Sequence, residues 1–336
     1  MGDVAALAGV SRKTVSRVFN SEPTVAEELV FKVRRAADQL NYKMNLVASD
    51  LRRTNGRPST IGLLIQDVSN EFSASIFRSV ENVAEQQGVT VLASNIDEDP
   101  NREHDLTSSL IARRVDGLIL IPASLDQSYL SSDQRSGTPI VFLDRPPLLL
   151  KADTVLSDNE AGAHMGVSHL LEGGHRRIGF IGEPDTHAPS RDRFSGYVRA
   201  LQQRGIAIDP ELIIRNQRSE VDARDAVQRL LSMGEPPTAM FTAHNRLTVG
   251  AVTGLRDRQS EHTIALVGFD DFALAYLLQP GITVIAQDPA TMGQLGAEIL
   301  FRRIRGDRGD AETHVVPTTL IERGSGEIAS AASVHA

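Results

Sequence analysis

Beyond residue 60, this 336-residue chain alternates short apolar runs with longer stretches of helical period, and nothing else in it restricts the fold so strongly. The runs IGLLIQDV, VTVLASN, GLILIP and IVFLD, starting at Ile61, Val89, Gly117 and Ile140, read as strands buried on both faces. Helical stretches such as 74–87 and 102–113 separate them. A second series, RIGFIG, LIIR, AMFTA and ALVGFD, alternates with helical stretches over 160–171, 193–204 and 223–233. Strands and helices in this order build a parallel sheet covered by helices, so the expectation is two doubly wound α/β subdomains. Such sheets bind ligands at the carboxyl ends of their strands, and two facing sheets place a ligand in the cleft between them.

The amino-terminal segment follows a different rule. In MGDVAALAGVSRKTVSRVFN, Val4, Leu7 and Ala8 repeat at helical spacing, and Val15, Val18 and Phe19 do so again. Gly9 supplies the positive φ that ends the first helix, and the Ser11 hydroxyl is placed to cap the second. The expected result is a helix-turn-helix. Arg12 and Lys13 stand at the start of the second helix, with Arg17 four residues past Lys13 on one face. That face suits the major groove of DNA, where a guanidinium bonds guanine O6 and N7 together. A third helix capped by Thr24, with the stripe Leu29, Val30, Val33, Ala36, Ala37 and Leu40, completes a small α-helical head ending near Asn41 and Tyr42.

Charge is divided along the chain. The formal net charge is −8, yet residues 1–58 hold ten Lys and Arg against six Asp and Glu, whereas the remainder holds 25 against 37. A basic head on an acidic body confines affinity for phosphate to one surface. No Cys occurs, so disulfides and thiolate zinc sites are excluded, no metal or cofactor is implied, and a reducing cytosol is compatible. There is neither an apolar run long enough to span a bilayer nor a signal-peptide pattern, and the expected location is cytoplasmic, on the nucleoid when bound to DNA.

At the head the sequence resembles the LacI/GalR (lactose-repressor) family of bacterial transcription regulators, whose heads read D-V-A-x-x-A-G-V-S-x-x-T-V-S-R-V-x-N; every fixed position is present from Asp3 to Asn20. The resemblance implies that Arg12, Lys13 and Arg17 read bases, and that Ser11, Thr14, Ser16 and Asn20 contact phosphates or bases. It also implies that NLVASDLRR is a hinge helix that orders when two copies meet in the minor groove of an operator. There Asn45 and Ala48 would lie against DNA, and Leu51 would be the wedge that opens a central base step. A plain linker whose Leu51 packs on the body is the other reading. Met44 stands where the family usually has Pro, Leu46 where it often has a basic or small residue, and the family's first-helix Thr would precede Met1. For the body the resemblance implies a periplasmic-binding-protein-like arrangement, with the chain crossing between subdomains near Ser157, near Gln287 and Asp288, and before a last strand VVPTTLIER. The expected division is a head over 1–44, hinge and linker over 45–60, a body over 61–325 and a tail over 326–336. Within the body, one subdomain takes 61–157 and 288–313, and the other takes 158–287 and 314–325.

Polar residues just after strand ends are the effector candidates: Asn70 and Phe72, Asp144, Asp158, His244 with Asn245, and Asp270, joined by Arg191 and Arg193 around a helix start. Carboxylates accepting vicinal hydroxyls, an Arg donating paired N–H bonds and an aromatic on a ring face describe a sugar pocket. Arg193 and Asp270 match two effector-contacting positions of the family. Each Asp is equally suited to capping the next helix, so only convergence on one cleft separates the two roles. HNR at His244 departs from the family's usual N-D, which keeps nucleosides, sugar phosphates and other metabolites open behind a neutral sugar or polyol. His169 and His175 read as structural.

The sequence thus predicts a homodimeric regulator of a pseudo-palindromic double-stranded operator, controlled by a small effector; repression relieved by effector and corepression are both open. The GSGEIASAASVHA end has no leucine heptads to suggest a tetramer. An α/β sugar- or nucleotide-using enzyme is the alternative of another class, but no G-x-G-x-x-G follows a strand, no Walker loop occurs and no Ser-His-Asp set convinces. A solute-binding protein of a transporter would explain the body and leave the basic head unexplained.

Overall fold

Gly9, at φ 65°, separates α1 (Gly2–Ala8) from α2 (Arg12–Phe19). The Ser11 hydroxyl accepts the Thr14 amide at 3.0 Å, the capping bond that starts α2. With α3 (Glu27–Gln39), these helices close over Val4, Ala5, Val15, Val18, Val33, Ala36 and Ala37. Leu7 and Leu40, expected in this core, are exposed: α1 turns Val4 and Ala5 inward instead, and Leu40 falls just past the end of α3. The computed structural model describes residues 2–19, 25–40 and 59–330, and the chain forms two units, Met1–Arg57 and Pro58–Ala336. Asn20, Thr24, Asn45, Ala48 and Leu51, and with them the expected hinge helix, lie outside the described residues.

The second unit contains two lobes. The first runs β1 (Thr60–Ile65), α4 (Glu71–Gln86), β2 (Thr90–Asn95), α5 (Pro100–Ala112), β3 (Leu118–Leu120), α6 (Ser131–Arg135), β4 (Ile140–Leu143) and β5 (Asp153–Ser157). The second runs α7 (Asn159–Glu172), β6 (Ile178–Ile181), α8 (Ala188–Gln203), β7 (Ile213–Ile214), α9 (Glu220–Leu231), β8 (Ala239–Thr242), α10 (Asn245–Asp257), β9 (Ala265–Phe269) and β10 (Thr283–Ala286). The chain then returns through α11 (Pro289–Ile304) and β11 (Thr313–Val316) to the first lobe and ends in the second with β12 (Thr319–Ile321). The sheet orders are β11-β5-β4-β3-β1-β2 and β12-β10-β9-β8-β6-β7, parallel throughout except for β12 against β10.

Continuous apolar runs form these strands because each sheet is covered on both sides. Along the first sheet Leu63, Ile119, Val141 and Leu143 pack under α4 and α11, whereas Leu64, Leu118, Leu120, Ile140 and Phe142 pack with Leu110 of α5. The second repeats the scheme: Phe180, Phe241, Val267 and Phe269 lie under α7 and α8, and Ile181, Met240, Leu266 and Val284 under α9 and α10. The edge strands depart from this: β11 and β12 are partly exposed, and β2, read from sequence as buried, has Thr90, Leu92 and Ala93 exposed.

Two expected boundaries are corrected. Thr313–Val316 pairs in parallel with β5, so the first lobe does not end at 313; the crossing falls at Pro317, which has no N–H for a ladder and splits VVPTTLIER into β11 and β12. Residues 326–330 are not a loose tail either. Gly326 N–H donates to Thr283 Oγ1 at 3.2 Å, Ser330 N–H donates to the Gly173 carbonyl at 3.2 Å, and Ile328 packs on the second core. His175 helps to hold this segment: its Nε2 lies 2.7 Å from the Ile328 carbonyl oxygen and its Nδ1 2.9 Å from Thr238 Oγ1. A carbonyl only accepts, so Nε2 carries the proton and Nδ1 accepts from the threonine. Burial lowers the pKa of this ring.

Small residues let the helix pairs approach. A Cβ on Gly250 would collide with the Glu220 carbonyl oxygen and sit 2.8 Å from Ala223 Cβ, so α10 rests directly on the backbone of α9. Gly250→Ala is expected to destabilise the chain by about 1–3 kcal/mol through overpacking. The check is a lowered melting temperature in thermal unfolding; an unchanged value contradicts the close approach.

Candidate effector cleft and DNA-facing helix

On the head, Ser11, Arg12 and Lys13 are exposed at the start of α2, and Thr14, Ser16 and Arg17 are half-buried. The apolar side of α2 turns inward through Val15 and Val18, which leaves its basic amino end facing water. The Arg12 guanidinium lies beside Gly2: a Cβ there would come within 2.9 Å of Nη2.

In the body, a cavity of about 280 Å³ opens between the two lobes, at the carboxyl ends of their strands. The first lobe contributes Asn70, Phe72 and Asp144, and the second contributes Arg193, His244 and Asp270. These six candidates therefore do meet. Asn245 is not on the wall but just behind it; it is buried and approaches Asn70 across the lobes, the Asn70 amide donating to its Oδ1 at 3.3 Å. Two candidates are corrected. Asp158 caps α7, accepting the Ala161 amide at 3.1 Å, and Arg191 donates to the carbonyls of Asp185 and Thr186 at 2.7 and 3.1 Å. Neither lines the cavity; the Asp serves the capping role that its position before a helix equally allowed.

The two lobes present matching carboxyls. Asp144 follows β4 and Asp270 follows β9, at φ 63° and 69°, and each donates its amide 2.9 Å to the neighbouring strand, at Val155 and Ile285 respectively. Asp tolerates this left-handed turn better than most residues, and there it aims its carboxyl past the strand end. Asp270 is already engaged, accepting from the Gln287 amide and lying 3.5 Å from Arg193 Nη1. Arg193, only 3 % exposed, also donates from Nε to Asn159 Oδ1 at 2.8 Å and from Nη1 to the Ala243 carbonyl at 2.7 Å, and its guanidinium lies 3.9 Å above the Phe269 ring. Asp144 is different. Its nearest cation is Arg145 Nε at 3.7 Å, beyond hydrogen-bond reach. Burial raises its pKa, against the pull of Arg145 and Arg193. A carboxyl so placed can accept from a bound hydroxyl or amine.

Sequence reasoning missed several wall residues. Arg145 forms a fork with Glu98, Nη1 and Nη2 each donating at 2.7 Å, and the His187 ring of the second lobe lies 3.4 Å from the same carboxylate. Burial pushes the Glu98 pKa up, but the hydrogen bonds and charge of Arg145 outweigh it and hold the group below its ordinary range. His187 is lowered by burial and then by the Arg145 charge. Gln66, Glu183, Arg218, Arg246 and Gln287 complete much of the polar wall. The available signal was position: Arg145 directly follows Asp144, and Gln287 sits at a lobe crossing.

A helix-turn-helix unit joined to a bilobal body with a polar interlobe cleft defines a ligand-responsive DNA-binding class. Residues 1–45 match the lacI family of bacterial regulatory proteins, and 167–326 match a periplasmic binding protein-like domain. The HTH-type transcriptional repressor PurR of Aliivibrio salmonicida is 31% identical over 309 residues, 90% of this chain and 91% of that one. The ribose operon repressor of Escherichia coli K12 is 32% identical over 328 residues, 97% and 99% of the respective chains. Among solved structures, the lac repressor dimer bound to operator and the anti-inducer ONPF matches with a TM-score of 0.85 and 27% identity, covering 96% of this chain and 98% of that one. The chain belongs to the lacI family of bacterial regulatory proteins.

The raised pKa of Asp144 makes stability pH-dependent with a defined sign. The folded chain holds a proton that the unfolded chain has released, so this group's contribution weakens as pH climbs from the ordinary carboxylate range through the raised value. Asp144→Asn, which keeps the shape and tolerates the same φ, is expected to melt above the wild type at neutral pH, with the gap closing as pH falls toward the ordinary carboxylate range. Parallel melting curves across pH check this, and a constant gap contradicts it.

Proposed function

We propose that this chain is a homodimeric, sequence-specific transcription regulator that grips a pseudo-palindromic operator with two heads and adjusts that grip when a small effector fills the interlobe cleft. The observation that carries the reading is the combination within one family member of an outward basic helix and a cleft whose walls come from both lobes. Arg12, Lys13 and Arg17 read bases in the major groove, with Ser11, Thr14 and Ser16 beside them on the duplex. Residues 1–44 act as the head, 45–60 as the hinge and the remainder as sensor, with the dimer face on the first lobe.

Asn70, Phe72, Asp144, Arg193, His244 and Asp270 take a polyol-like effector, and Asn245 orders the wall behind them. Because Asp144 and Arg193 stand on opposite lobes, a ligand held by both favours one interlobe angle, and the three strand-end crossings let that angle change. Operator and effector affinities are then linked by one factor, felt equally by each. The protein acts in the cytoplasm and turns over no substrate. No described helix is long and apolar enough to cross a membrane.

Lys13→Ala tests the head. It removes an exposed charge from α2 without touching the apolar core, and is expected to weaken operator binding by about 1–3 kcal/mol if Lys13 reads a base. A gel-shift titration at fixed salt against the protein's own upstream region measures this. Equal affinity of variant and wild type removes Lys13 from the interface.

A further inference from the structure

We infer that the effector of this cleft carries an anionic group, a phosphate or carboxylate on a polyol, received by Arg218 and Arg246. The inference rests on reading the cleft as the effector site and concerns what kind of molecule fills it. Four arginines line the cavity. Two are neutralised within the protein: Arg145 by its fork to Glu98, and Arg193 by Asp270, Asn159 and the Ala243 carbonyl. The other two have no such partner, although the charge of Arg246 acts on Asp67. Among the described residues, neither Arg218 nor Arg246 makes a side-chain hydrogen bond or ion pair; their backbone amides alone are engaged, Arg218 with Asp222 and Arg246 with His244 and Asn245. Both side chains are exposed to the cleft mouth from the second lobe, Arg218 just before α9 and Arg246 in the first turn of α10.

The surroundings favour an anion there. Pro189 and Ser190, in the first turn of the 16-residue α8, line the same cavity, and the N-cap residue His187 makes no side-chain capping bond. Amides at such an end present partial positive charge. Most carboxylates of the wall are spent elsewhere: Glu98 on Arg145, Asp270 on Gln287 and Arg193, and Asp97 on Arg102 at 3.3 Å. Asp67 accepts from the Ser69 amide and hydroxyl as well as feeling the Arg246 charge, and burial raises the pKa of Asp144. Glu183 remains without an ion pair, against two guanidiniums. A neutral sugar offers these guanidiniums no charge, whereas a phosphate or carboxylate oxygen pair meets their planar forks.

The test uses the full chain and the double variant Arg218→Gln, Arg246→Gln, whose exposed positions leave the apolar cores untouched. Inorganic phosphate is titrated against chloride at matched ionic strength while the melting temperature is followed. Phosphate should stabilise the wild type and leave the variant where chloride leaves it; an equal response of both proteins, or none in either, overturns the inference. Calorimetry with glucose, glucose 6-phosphate and glucuronate then identifies the source. An anionic sugar should bind at least about tenfold more tightly than glucose in the wild type, with that preference lost in the variant. A phosphate-only preference assigns a sugar phosphate, and a preference extending to glucuronate assigns a sugar acid. Glucose binding as tightly as both overturns the inference while leaving the regulator reading intact. Failure of the wild type to bind its operator would sink the regulator reading without altering an arginine-dependent phosphate response.

Discussion

A buried guanidinium holds the second lobe's side of the cleft together. Arg193 leaves α8 and ties Asn159 at the start of α7, the Ala243 carbonyl after β8, the Phe269 face at the end of β9 and, at 3.5 Å, Asp270. Four chain segments, α8 included, thereby share one cation. Its charge is tolerable in that interior because Nε and Nη1 meet acceptors and the guanidinium face lies over a ring, and the acceptors are fixed by it in turn. Asp270 can project a carboxyl toward a ligand because Arg193 and Gln287 already neutralise and orient it.

The first lobe solves the same geometric problem with a looser arrangement. Asp144 occupies the equivalent left-handed turn, but its neighbour Arg145 is drawn away into the fork with Glu98, and the carboxyl is left without a protein partner inside hydrogen-bond distance. One wall is thus preorganised and the other is receptive. Among the described residues, the walls meet through polar pairs, Asn70 with Asn245 and His187 with Glu98. A fold of this kind can transmit occupancy of the cleft as a change in lobe angle.

Most of the architecture was legible because a parallel sheet buried on both faces leaves an unambiguous trace: the runs beginning at Ile61, Gly117 and Ile140 have no polar face to hide. Where the trace failed, the failure was local. VTVLASN has the composition of a buried strand but lies at a sheet edge, and edge position is set by chain topology rather than by the residues themselves. The β11–β12 break required attention to Pro317, and Leu7 showed that a stripe of seven residues does not fix which side of a short helix is covered. At the cleft, Asp144 and Asp270 were legible since polar residues following buried strands must face the strand ends, and Arg193 was legible from its place near a helix start and its match to the family. The same signal could not separate Asp158, which caps a helix, and it missed Glu98, His187, Arg218 and Arg246, whose placement depends on loops and on which helix ends face each other across the lobes. Asn20, Asn45, Ala48 and Leu51 lie outside the described residues.

The dependence of that wall on one cation is measured most directly by amide hydrogen exchange on wild type and Arg193→Met. Protection should fall locally at residues 243–247 and 270–272, where the Ala243 carbonyl and Asp270 lose their donor, while the strands β1, β3 and β4 of the first lobe keep theirs. Unchanged protection at those strand ends would contradict the account, because the cleft wall would then stand without the guanidinium said to hold it.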